Sequence, residues 1–146
     1  MSIREATAVN LVDTLKAIQD PQPVLVTRDP FDVEKLAITQ FPALLVQQTM
    51  ESRETISMGI PGVGRRTGTM TFQVRAFVRG VELDTRRNEL IAAVEDALDG
   101  DRYREQWAVG VTDTQIVEIE IIPRQQPLAE VLITVEVTYN YVRGAQ

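Results

Sequence analysis

The segment 68–98, GTMTFQVRAFVRGVELDTRRNELIAAVEDAL, changes its hydrophobic period half-way along, and that change constrains the rest of the chain. Met70, Phe72, Val74, Ala76 and Val78 alternate with Thr71, Gln73, Arg75, Phe77 and Arg79. A period of two sustained over this length marks a strand with one buried face. Gly80 breaks the run. Beyond it Leu83, Leu90, Ile91, Val94 and Leu98 share one stripe of a helix, with Asp84 expected as N-cap and Gly100 as C′ residue. A long strand that feeds directly into an amphipathic helix makes a two-layer unit, and every other element has to pack on it.

The flanking segments supply those elements. Ser2 and Glu5 have capping-box spacing, and Ala8, Leu11, Val12, Leu15 and Ile18 keep helical spacing, which predicts a first helix over about 3–19. Asp20-Pro21 and Pro23 stop it, and the β-branched run 24–28 reads as a short strand. Residues 31–40 read as at most one helical turn. Ala43, Leu44, Leu45 and Val46 form a near-continuous apolar run, as in a buried strand. Residues 114–122 read as a strand, with Val117, Ile119 and Ile121 opposite Glu118 and Glu120. Val131, Ile133, Val135, Val137, Tyr139 and Tyr141 then alternate with Glu130, Thr134, Glu136, Thr138 and Asn140, so the last two strands should form a hairpin. The expectation is a single α+β domain over 1–146, with two helices on one face of a mainly antiparallel sheet.

Residues 47–67 are polar and then glycine-rich, and are expected to form a long mobile hairpin tip. Within it GIPGVGRR imitates the start of a phosphate loop, but Arg65 and Arg66 stand where Lys and Ser/Thr belong, and a strand follows instead of a helix. The tip's apolar groups, Met58, Ile60 and Val63, make it a candidate interface. Arg65 and Arg66 would then meet acidic groups of a neighbour, such as those on the 84–99 helix.

Chemistry is sparse. The chain has no histidine and no cysteine, which removes the usual general base, the commonest metal ligand, thiolate sites and disulfides. Ser2, Ser52 and Ser57 lie in no nucleophile motif. Glu118 and Glu120 could hold a divalent ion, act as an acid/base pair with Glu136 near, or pair across strands with Arg75 and Arg79; the last is the plainer reading. Trp107, beside Arg102, Tyr103 and Arg104, is either an interface anchor or a lid on the core. The net charge of −6 disfavours attractive binding to nucleic acid or an anionic membrane, and no apolar run is long enough to cross one. No catalytic, metal or cofactor site is assigned.

The order of these words resembles the tail terminator proteins of long-tailed bacteriophages and the related minor tail and tail-completion proteins. The features are an amphipathic first helix, VLVTR, FPALLV, a glycine-containing connection, GTMTFQVRAFVRG, NELIAAVEDAL, VEIEI and VLITVEVTYNYV. The resemblance implies a non-enzymatic virion protein, made in the host cytoplasm, that forms a hexameric ring on the end of the tail tube. Such a ring would stop tube growth, meet the neck or head-completion protein, and let DNA pass through its lumen without specific binding. A head–tail adaptor, stopper or tube subunit of the same apparatus is the alternative, with a small-molecule-binding domain behind it.

Overall fold

The computed structural model describes residues 2–55, 65–105 and 110–142. Helix α1 (Ile3–Lys16) ends short of the expected residue 19. Its cap is half of a capping box. Ser2 Oγ accepts from the Glu5 N–H at 3.1 Å, but the Glu5 carboxylate turns away to take two hydrogen bonds from Arg28, at 2.6 and 3.0 Å. The reciprocal cap gives way to a bidentate ion pair that ties α1 to the chain just after β1 (Leu25–Thr27). Two short 3₁₀ turns, Val33–Lys35 and Ile38–Gln40, occupy the stretch expected to hold at most one turn of helix.

Strand β2 (Ala43–Thr55) and strand β3 (Arg65–Arg79) correct the expected loop. Strand pairing persists from Ala43↔Phe77 to Thr55↔Arg66, interrupted only by a bulge between Gln48 and Met50. The outer half of β2, QQTMESRET, has no apolar alternation, yet its polar side chains are compatible with a half-wet ladder that satisfies the backbone on one side. Of the presumed tip, only 56–64 lies outside the described residues.

Helix α2 (Leu83–Asp99) follows β3, then β4 (Val111–Ile122) and β5 (Leu128–Val142). Strand β4 thus begins three residues before its expected start. The sheet order is β1-β2-β3-β5-β4, parallel at β1–β2 and antiparallel elsewhere. Strands β3 and β4 therefore run the same way with β5 between them. Both ends of α2 differ from expectation. Gly80 (φ 132) and Glu82 (φ 54) absorb the turn, so the helix starts before Asp84, which pairs with Arg87 inside the first turn. Gly100 is right-handed (φ −66) rather than a left-handed C′ residue. The Leu98 carbonyl is instead satisfied by the buried Arg104, whose Nη2 donates to it at 2.7 Å.

The apolar faces expected of β3, β5 and the two helices are buried, whereas Val117, Ile119 and Ile121 of β4 stay exposed. Met70, Phe72, Val74, Ala76 and Val78 of β3 join Val131, Ile133, Val135 and Val137 of β5 under Leu11, Leu15, Leu90, Val94 and Leu98 of the helices. Two helices on one face of a mostly antiparallel sheet is the α+β arrangement expected. The opposite face is not bare. At one end the 31–41 connection lays Phe31, Val33 and Phe41 over Ala43 and Phe77, with the Phe31 and Phe77 rings 5.7 Å apart, edge to face.

Candidate functional site

Two clusters of charged side chains on the sheet are satisfied internally, and a third group stands on an exposed edge. On the face away from the helices, Glu130 is fully buried between Arg75 (2.9 Å) and Arg124 (2.8 Å), and Arg124 also lies 5.7 Å over the Phe77 ring. This corrects the expected pairing of Arg75 and Arg79 with Glu118 and Glu120. Strand β5 stands between β3 and β4, so Arg75 meets the β5 carboxylate and cannot reach β4. Arg79 sits opposite Leu128 and lines a small cleft with Phe41, Glu82 and Glu89. Glu130 escaped sequence reasoning because alternation put it on the outward face, and nothing local indicated that the 31–41 connection covers that end.

A second cluster forms where the β2–β3 hairpin leaves the core. Glu51 accepts from Arg4 (2.7 and 3.0 Å), Gln48 (3.0 Å), Arg53 (3.2 Å) and the Tyr139 hydroxyl (2.6 Å). Burial pushes the Glu51 carboxyl up, but hydrogen bonds from Arg4, Tyr139 and Gln48 outweigh it and hold the group at about 2. Tyr139 reaches Glu51 by lying across Gly68, its directly opposed residue on β3; a Cβ there would stand 2.2 Å from the ring. The glycine is required by this close approach. Arg4 comes from α1, so the cluster locks the first helix to the root of the hairpin. Arg66, further along the arm, is half-buried between Thr55 and Tyr141.

The β4 edge is the third region. Glu118 and Glu120 are exposed there, opposite Thr134 and Leu132, and make no ion pair among the described residues. Val117, Ile119 and Ile121 are also exposed, at 46%, 40% and 47%. Arg102 is bound to Asp113 at 3.1 Å. Arg104, grouped with Trp107 in the sequence, is buried under α2 and unavailable to a partner. Met58, Ile60, Val63 and Trp107 lie outside the described residues, as does the Arg65 side chain.

No family model matches this chain, and no curated protein does. One fold does. A chain in the solved structure of the virion of a native gene transfer agent (GTA) particle is similar over 96% of this chain and 100% of that one, with 13% identity and a TM-score of 0.54. At this identity the likeness is one of fold.

Among the described residues, no three acidic side chains converge in a way that could hold a metal ion, and no helix is long and apolar enough to cross a membrane. Four strand glutamates fall into two classes. Glu51 and Glu130 are consumed by arginines of the same subunit. Glu118 and Glu120 offer their charge outward beside bare apolar groups, an arrangement fitted to contact another molecule.

Proposed function

We propose that this chain is a structural protein of a phage-like virion, and that it forms a ring, hexameric in the finer reading, on the end of a tail tube. The observation that carries the proposal is the fold shared over 96% of the chain with a component of a virion particle, at a TM-score of 0.54. The sequence resemblance to tail terminators supports the same apparatus. The surface agrees with an assembly role: Glu118 and Glu120 stand exposed on the outer strand, which also carries the exposed Val117, Ile119 and Ile121. In this reading the ring caps the tube, ends its polymerisation and meets the neck or head-completion protein, and no reaction is catalysed.

The charge balance suits a conduit. Six copies at −6 each repel the phosphate backbone, so DNA passes without sticking. Duplex DNA binding measured against salt tests this part. No binding is expected at physiological salt. Affinity with the steep salt slope of phosphate neutralisation would contradict an acidic lumen. The role at the tube end is tested by mixing the protein with tail tubes and examining tube ends by electron microscopy, where capped ends of fixed length are the expected result. Decoration along the tube wall, or incorporation throughout it, would favour a tube subunit instead.

A further inference from the structure

The geometry points to a head-to-tail contact in which residues 56–64 of one copy seat on the β4 edge of the next; the inference rests on the assembly reading above and names the surfaces that would make it. Ile119 and Ile121 are in register with the core residues Ile133 and Val131, so they belong to the helix-bearing face of the sheet. Neither helix covers them, and they stand 40% and 47% exposed. Val81, 71% exposed after β3, lines with Ile121 one cleft of about 740 Å³ beside the start of α2. Strand β4 carries Asp113, Glu118 and Glu120 and no cation. The apolar groups therefore stand on the helix-bearing face of this outer strand, Glu118 and Glu120, in register with Thr134 and Leu132, project from its other face, and Arg87 and Arg124 line the cleft beside Ile121.

The same strand is built against pairing with another strand. Its ladder is broken between Val111 and Asp113 and again between Ile116 and Glu118, and two glutamates project from the edge. A fitting occupant is a short uncharged apolar segment followed by cations. The chain has one. Residues 56–64, ISMGIPGVG, carry Ile56, Met58, Ile60 and Val63 with no charge, and Arg65-Arg66 follow immediately. Apolar groups would cover Val81, Ile119 and Ile121 on one face while the arginines, passing over the free edge of the strand, meet Glu118 and Glu120 on the other.

A subunit cannot make this contact with itself. Arg65 pairs with Val142 and Ile119 with Ile133, so the patch lies nine residues of β5 away from the start of β3, about 30 Å along the sheet. A nine-residue segment held at Thr55 and Arg65 reaches out and back only about 15 Å. The two complementary surfaces sit at opposite ends of one sheet. Such a contact joins different patches on successive copies, which is the heterologous kind that generates rings.

The chain has no cysteine, so the contact can be trapped cleanly. Under mild oxidation the variant carrying Ile60→Cys and Ile119→Cys should give a ladder of covalent multimers. A control with Ile60→Cys and Glu89→Cys, which offers the exposed side of α2 instead, should give less than a tenth of that yield. Separately, Ile119→Glu with Ile121→Glu should raise the concentration needed for assembly at least tenfold, with the melting temperature held. Rings that form without the cross-link, or that cross-link equally through Glu89→Cys, overturn this docking and leave the ring reading intact. A ladder of open chains that never closes keeps the docking and removes the ring. A protein that stays monomeric even with tail tubes overturns both.

Discussion

Glu51 and Glu130 differ from Glu118 and Glu120 in a way that separates the finished parts of this molecule from the unfinished one. All four are glutamates on strands of the same sheet. Glu130 is closed between two arginines, and Glu51 gathers four donors from α1, β2 and β5. Glu118 and Glu120 stand on the outer strand with no cation of their own among the described residues, beside isoleucines that no helix covers. The first pair is spent on holding the subunit together. The second contributes little to the subunit and is free for a neighbour. The contrast is useful because exposed apolar groups rimmed by polar ones mark contact surfaces.

The largest effect is expected at Glu130. Its replacement by alanine leaves Arg75 and Arg124 without their shared partner over an apolar patch. Both arginines can turn toward water, so the loss is placed at about 3 kcal/mol, at the low end for a broken buried pair. For a chain of this length that lowers the melting temperature by roughly 6–12 °C, which calorimetry would measure. A shift of under 2 °C would mean that Glu130 is not structurally committed.

Glu51→Gln should cost less, about 1.5–3 kcal/mol, because charge-assisted hydrogen bonds weaken but the amide still fits. It also carries a pH signature. The folded-state value is depressed to about 2 from an ordinary 4.5. The stabilisation is therefore complete above about pH 4.5 and is lost as pH falls toward 2. Denaturant unfolding of both proteins should show a gap that is constant near neutrality and closes below pH 4. A gap that persists unchanged at pH 2.5 would contradict the assignment.

The smallest effect on the isolated subunit belongs to Glu118→Gln with Glu120→Gln. Exposed, unpaired groups should change stability by about 0.5 kcal/mol or less. Thermal unfolding that fell by several degrees would erase the distinction between the two classes of carboxylate.

The sequence made some of this legible and hid the rest for physical reasons. The β3–α2 unit was readable because its apolar residues keep one period and then another, and each set does bury. The apolar run 43–46 was readable because a strand covered on both faces needs no alternation. Alternation reports only that two faces differ. It could not tell that Phe77 would be roofed by the 31–41 connection and Glu130 closed in by Arg75 and Arg124, nor that Ile119 and Ile121 would occupy an outermost strand beyond the helices. The hairpin arms were misjudged as loop because a ladder that projects past the core has no hydrophobic signature. In the Glu51 cluster the carboxylate meets Tyr139, 88 positions away, and no local pattern announces it.

The central claim is assembly at the end of a tail tube, and the most direct measurement is the mass and shape of what the protein forms there. Native mass spectrometry of the purified protein, with electron microscopy of tube ends to which it has been added, should find a closed ring of six subunits seated on the terminal tube ring. A strict monomer that leaves tube ends bare at every concentration would contradict the account.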